Sequence, residues 1–424
     1  MADTRRRAAV LFLASVAATE AAVQAGRAFF HPKQGLDLAP PYLAARLLLR
    51  GDTRFYDDAV VGAAGAALGL HGPAGPGDAV LNFIYPPWVP VAYAPLALLP
   101  WEAARVVWFA LSAAAIVLAL ALFARATARD PAEERDLALS VLSAAAFFFP
   151  VFYGLMTGQA NGVLLLLLAG SLLFYKNGRG FAAGLLLAPA ALAKPFLALP
   201  ALVFLARRAW GALAGFVAGA AALGFLGALA GGPAGWRLWW VQISRHNALG
   251  SFEWRNHSIA SAGLALFSPG GGVEPAIAAP ALVLPFVIVA GALAVLLALA
   301  ALRPPSAVAA RPEIGYGAAL ALGLLLAPKS WEHYGVFLLP AFLAVFATLR
   351  EEDGAPPRTA LAFLGVSFAV WAFALQSREE YAGLARRPLS LLLPAKTYAL
   401  FLLLGLAAWV AHRRLGGGGG PPQG

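Results

Sequence analysis

The side chains in this sequence that could do chemistry fall into a few short segments. Asp37 stands in Gly35-Leu36-Asp37-Leu38, just ahead of Pro40-Pro41-Tyr42-Leu43-Ala44-Ala45. A carboxylate where an apolar segment meets water can take a proton from a hydroxyl nucleophile. The bland alternative is that it caps the Pro40-led helix or pairs with an arginine. Asp57, in Phe55-Tyr56-Asp57-Asp58, is the candidate second acid. Lys194 interrupts the apolar stretch 180–206. A cation at that depth needs a partner, a watery cavity or a phosphate, unless it snorkels to the interface.

Four further groups could line a cavity. Gly158-Gln159-Ala160-Asn161 puts two side-chain amides at a helix end. They could equally bind helices together. Tyr85, in Tyr85-Pro86-Pro87-Trp88, fits an interfacial helix start as well as a site. Arg255-Asn256-His257-Ser258 combines a cation, an amide and an imidazole, with Asn256 also readable as a helix cap. Lys329-Ser330-Trp331-Glu332-His333-Tyr334 packs a cation, an acid and an imidazole, suited to a phosphate or to a solvated turn.

Other chemistries lack their residues. The chain has no cysteine, which removes disulfides, thiolate nucleophiles and Cys-ligated metals. The histidines show no H-x-x-x-H or H-E-x-x-H spacing, so a zinc site is not indicated. No phosphate-binding G-x-x-x-x-G-K-[ST] and no G-x-S-x-G occurs. No cofactor is implied. A divalent metal is possible beside a phosphate, but no second acid is convincingly placed for it. The net charge of +10 and pI of about 10.1 are read as contact with anionic lipid and phosphate. No basic run is interleaved with aromatics, which argues against nucleic acid as a partner.

The elements that must position these groups are membrane helices. Of the 424 residues, 61% are hydrophobic and only 12% charged, against about 25% in a soluble domain. Mean hydropathy is +0.74. The reading is an all-α, polytopic integral membrane protein of about 12 transmembrane helices (10–13), at about 20 residues per span. Expected spans run 8–25, 83–99, 101–122, 137–153, 160–175, 180–206, 209–230, 275–301, 313–329, 334–349, 360–376 and 396–412. The prolines of 180–206 make it a kinked helix or two short pieces. Residues 41–50, with Arg46 and Arg50 on one face, are expected to form an amphipathic helix in the interface. With the N-terminus cytoplasmic, Arg207/Arg208 and Arg413/Arg414 sit inside. Five of the six histidines then fall outside, in or beside the outer loops 26–82, 231–274 and 329–333. On this topology Lys329 and His333 lie on the outer face, while Lys194 lies deeper and its side is open.

The order of these motifs resembles glycosyltransferase family 87, the polyprenol-phosphate-mannose-dependent mannosyltransferases of the GT-C superfamily. The resemblance rests on Asp37 before Pro41-Tyr42-Leu43-Ala44-Ala45, Gly51-x-x-x-Phe55-Tyr56-Asp57, Tyr85-Pro86-Pro87, Gly158-Gln159-x-Asn161, Ala193-Lys194-Pro195, Asn256-His257-Ser258 and Ser330-Trp331-x-His333-Tyr334. It covers roughly residues 8–350. It implies a GT-C-like transmembrane glycosyltransferase domain over 1–415; residues 416–424 are expected from their Gly/Pro composition to be a disordered tail. It also implies transfer of a hexose, mannose first, from a polyprenyl-phosphate donor to a lipid or glycan hydroxyl at the outer face of a bacterial plasma membrane. Membrane lipids are the remaining partners. By this resemblance Asp37 is the general base of an inverting transfer and Asp57 a second acid. Lys329, His333, Lys194, Arg255, His257, Asn256, Gln159, Asn161 and Tyr85 are candidates for the donor phosphate and the cavity. Leu36, Pro40 and Pro41 stand where family members commonly carry aromatics, so the acceptor side can differ. The rival reading is a transporter or lipid flippase. Such proteins favour mid-membrane charges and inverted repeats, whereas the spans here hold almost only Glu20 and Lys194.

Overall fold

Proline and glycine decide where the helices stop. A computed structural model describes residues 2–31, 33–70, 82–248, 252–302, 311–350, 357–373 and 378–413. The tail 416–424 and the stretch 71–81 of the first outer loop lie outside the described residues. In chain order the helices are α1 (Ala2–Phe29), α2 (Ala39–Leu49), α3 (Asp58–Ala66), α4 (Val89–Ala97), α5 (Trp101–Thr127) and α6 (Pro131–Ala146). Then come α7 (Phe149–Thr157), α8 (Asn161–Lys176), α9 (Gly180–Ala193), α10 (Ala201–Ala206), α11 (Trp210–His246) and α12 (Ile259–Phe267). The last are α13 (Val283–Leu302), α14 (Pro312–Leu326), α15 (Leu339–Arg350), α16 (Arg358–Ala372), α17 (Arg378–Leu384) and α18 (Ala395–Arg413). No strand forms among the described residues.

Five of these segments are long and apolar enough to cross a bilayer, or six if the pair α6 and α7, bent by 66°, is one span. That is fewer than the twelve expected from hydropathy. Several expected spans are built from pieces. Five further apolar helices are only 10–17 residues long, short of the roughly 20 that span a hydrocarbon core. The expected span 83–99 is helical only over Val89–Ala97. The stretch 180–206 breaks into α9, a short 3₁₀ turn Pro195–Ala198 and α10. Pro195 explains the break. A residue before proline is pushed out of the α region, and Lys194 is extended at φ −137°, ψ 100°.

Two expectations change in kind. Residues 39–49 do form a helix, but it is not amphipathic at an interface. Ala39 to Ala45 and Leu47 are all buried within the protein, in a cluster with Phe55, Phe83 and Trp88. Arg46 is tied back by donating to the Tyr42 hydroxyl at 2.9 Å, so the helix packs as core. The loop expected from 231 begins as helix, because α11 continues past a kink at Gly232 (φ 65°) to His246.

Close helix crossings use glycine where a Cβ has no room. A Cβ on Gly184 of α9 would lie 1.9 Å from the Ala212 carbonyl oxygen of α11, and one on Gly215 would lie 2.0 Å from the Phe181 oxygen. Backbone meets backbone there, so no rotamer change can relieve the clash. Gly184→Ala is expected to cost about 1–3 kcal/mol of stability, the usual range for overpacking. A melt of the purified protein in detergent checks this, and an unchanged midpoint counts against a rigid crossing.

Candidate active site

The turn that carries Asp37 is held by the end of α7. Asp37 N–H donates to the Thr157 carbonyl at 2.7 Å and Gly35 N–H to the Met156 carbonyl at 3.1 Å. Helix α7 stops at Gly158, whose φ of 76° is the left-handed conformation suited to a C-terminal glycine. The Gly158 carbonyl accepts from Trp108 Nε1 at 2.8 Å. A Cβ on Gly158 would sit 3.0 Å from Gly35 Cα and 3.1 Å from Leu38 Cβ. Gly158→Ala is therefore expected both to strain the backbone and to push the Asp37 turn away. A misplacement near 1 Å can cost about 10² in rate, so any reaction that uses Asp37 should slow at least tenfold, read as kcat at saturating substrate.

Asp37 faces a cavity of about 370 Å³, whose walls also include Tyr85, Gln159, Lys194, Arg255, Lys329 and His333. Seven of the eleven sequence candidates thus meet in one place. Gln159 links acid to base. Its Oε1 accepts from Lys194 Nζ at 3.4 Å, and its side chain also hydrogen-bonds the Asp37 carboxylate. Lys194 Nζ lies 4.0 Å from the centre of the Tyr334 ring, a cation–π contact. Burial holds the Asp37 carboxyl above its ordinary pKa, against the opposing pull of Gln159, Thr157 and Lys194. Asp37 is therefore a stronger base than an exposed aspartate.

The cations on the other walls are held differently. Lys329 Nζ pairs with Glu253 Oε1 at 2.8 Å. Arg255 donates to the Tyr153 hydroxyl and stacks on Trp254 at 4.2 Å. His333 is buried, and neither of its ring nitrogens has a hydrogen-bond partner within the protein. Buried polar atoms are normally satisfied, so an unpartnered imidazole on a residue of the cavity wall is a candidate to hold a ligand.

The remaining candidates stand behind the wall or away from it. Asn161 is buried and donates from Nδ2 to the His333 carbonyl at 2.8 Å, so it positions that residue without lining the cavity. Asn256 braces the opposite turn, donating to the Pro328 carbonyl at 3.1 Å and accepting from Ser330 N–H at 2.8 Å. His257 is not on the wall. Its Nε2 meets Glu332 Oε2 at 2.8 Å, and burial keeps its pKa below the ordinary value. Asp57 does not join the site. Its exposed carboxylate caps α3, accepting from Ala59 N–H at 3.0 Å and Val60 N–H at 3.3 Å. The Asp-Asp pair at the loop end is a helix start.

The family model of Glycosyltransferase family 87 matches residues 83–328, more than half of the chain. The chain belongs to glycosyltransferase family 87. It is accordingly a membrane glycosyltransferase, using a sugar donor and an acceptor. No curated protein matches it. The matched span carries Tyr85, Gln159, Lys194 and Arg255 of the cavity. Asp37, Lys329 and His333 reach the same cavity of this family 87 glycosyltransferase from beyond either end of the match.

Some cavity residues escaped the sequence reading. Tyr153 and His246 line the wall; Tyr153 sits in an aromatic run typical of any membrane helix, and His246 stands in a polar stretch, Gln242-Ile243-Ser244-Arg245-His246, that matches none of the motifs above. Lys396 is buried against Glu332. A lysine at the start of the last span is a signal of the same kind as Lys194 and could have been found that way.

Proposed function

We propose that this enzyme moves a hexose, mannose first, from a polyprenyl-phosphate donor to a hydroxyl of a lipid or glycan acceptor at the extracytoplasmic face of a bacterial plasma membrane. The observation that carries this reading is a buried aspartate, its pKa raised by that burial, sharing one cavity with Lys194, Arg255, Lys329 and His333. An inverting transfer needs those two halves. The acceptor O–H gives its proton to the Asp37 carboxylate as its oxygen bonds to the sugar's anomeric carbon. The bond from that carbon to the phosphate oxygen breaks, and polyprenyl phosphate leaves with the electron pair. Charge that develops on the phosphate oxygens is met by preorganised cations on the cavity wall. The imidazole of His333 can donate to the same oxygens. Gln159 holds Asp37 and Lys194 in register, so the base and the nearest cation move together.

The test is to incubate detergent-purified protein with radiolabelled polyprenyl-phosphate mannose and a lipid extract of its host. Label should move to a new lipid or glycan. Label that stays on this donor, but moves from an arabinofuranosyl donor, would replace the hexose by a pentose. Label that moves from neither donor would overturn the polyprenyl-phosphate reading. Lys194→Met is expected to lower transfer by about 10² or more, the usual cost of one electrostatic stabiliser. An effect confined to a few-fold rise in donor KM would reduce Lys194 to simple binding.

A further inference from the structure

A second cavity, of about 540 Å³, adjoins the first and shares Arg255 and Trp331 with it. Its other walls are Phe252, Glu253, Trp254, Tyr381 and the Gly271-Gly272 turn. The volume falls within the range of small-molecule sites, about 300–1,000 Å³. Three segments distant in sequence build it: the strip before α12, the turn that follows α12, and α17. They are fastened together by Glu274 N–H donating to the Ala385 carbonyl at 2.8 Å. The ring of Tyr381 stacks on Phe252 at 5.8 Å and 14°, and meets Trp254 at 5.4 Å.

Two polar atoms on this wall are unspent. Tyr381 is only 7% exposed, and its hydroxyl has no hydrogen-bond partner. Oε2 of Glu253 is buried and likewise unpartnered, while Oε1 holds Lys329. A buried phenol and carboxylate oxygen left open are costly unless a ligand satisfies them. The ligand class follows from the wall. A phosphate is disfavoured here, because Glu253 is an acid and Arg255 is turned onto Tyr153, on the wall of the first cavity. A lipid tail is disfavoured, because aromatic rings and polar atoms dominate the lining in place of aliphatic side chains. A saccharide has what this wall asks for: flat C–H faces that lie on Trp and Tyr rings, and an edge of hydroxyls that can donate to Glu253 and bond with the Tyr381 phenol.

We propose that this second cavity is a saccharide subsite, which holds the sugar residues of a glycan acceptor behind the one whose hydroxyl reaches Asp37. The proposal rests on the transferase reading above for its direction, and on Trp254, Tyr381 and Glu253 for its chemistry. The shared wall of Arg255 and Trp331 lets one glycan occupy both cavities at once.

Binding can be tested without catalysis. Purified protein in detergent is titrated with linear gluco-, manno-, galacto- and arabino-oligosaccharides of one to three residues, followed by tryptophan fluorescence. At least one trisaccharide should bind tenfold or more tightly than its monosaccharide. Trp254→Ala should abolish that advantage, and Tyr381→Phe, which keeps the ring and removes only the hydroxyl, should weaken the trisaccharide about threefold or more. Asp37→Asn should leave the length dependence intact. If no oligosaccharide binds, or if binding ignores both Trp254→Ala and Tyr381→Phe, the subsite is overturned. A protein that binds with this length dependence yet transfers no sugar would retain the subsite and lose the transferase reading, so the two failures are separable.

Discussion

Asp37→Asn is expected to cut sugar transfer by about 10²–10⁴, the contribution of a well-placed general base, while leaving donor binding within a few-fold. Asparagine keeps the shape of the side chain and the neighbouring bonds to Gln159 and Thr157 but cannot accept the acceptor's proton. The pH profile gives an independent check. Burial raises the Asp37 pKa above its ordinary value, so in the wild type the low-pH limb of kcat/KM should lie above the ordinary carboxylate value of about 3.9. Activity should rise with pH through that limb, because only the ionised form is a base. The sign for stability is opposite. A carboxyl whose folded pKa is raised favours folding fully at pH below its unfolded pKa, and that contribution is lost as pH rises through the folded pKa. At pH above its folded pKa the ionised, buried Asp37 is therefore a burden on the fold. Asp37→Asn should melt no lower than the wild type. A large drop in melting temperature would move the blame for lost activity from chemistry to folding, and unchanged activity with intact folding would remove Asp37 from the mechanism.

Asp37 and Lys194 could be read as candidates from the linear chain because each breaks a strong local rule. A carboxylate at the end of an apolar segment and a lysine inside one both demand a reason. The proline after Lys194 even gives the mechanism, since it ends α9 and leaves the lysine extended at the cavity wall. Asp57 misled for the opposite reason. A carboxylate just before a helix satisfies a local rule, and capping is what it does. Hydropathy does not fix the span count, because it registers apolar length and is blind to where the backbone turns. The stretch 180–206 is apolar throughout, yet it is α9, a 3₁₀ turn and α10. Pairings across the fold had no local trace at all. Nothing near Tyr153 announces Arg255, and Glu332 is 64 residues from the lysine that neutralises it.

That distant pair carries the second large effect. Glu332 is buried, with one oxygen on Lys396 of α18 and the other on His257. Around it, His257 N–H donates to the Ser330 carbonyl at 2.8 Å and Thr397 Oγ1 to the His257 carbonyl at 2.9 Å. The last helix is thereby fastened to the turn that presents Lys329 and His333 to the cavity. Glu332→Gln removes the negative charge and leaves Lys396 buried without its partner, which is expected to cost about 3–5 kcal/mol. The same change frees the 328–333 turn, so transfer should fall as well, although Glu332 itself transfers no proton in the mechanism. Lys396→Met alone should be costly too, because it strands the carboxylate beside a histidine whose pKa burial keeps low. The double variant Glu332→Gln/Lys396→Met leaves no uncompensated charge and should recover most of the lost stability. Melts of the four proteins in detergent close the cycle. Single-variant losses that simply add in the double variant would mean that the two charges do not depend on one another. In that event the attachment of α18 to the 328–333 turn rests on packing around Trp371, whose Nε1 donates to the Lys396 carbonyl at 3.2 Å and whose ring meets His257 at 5.4 Å.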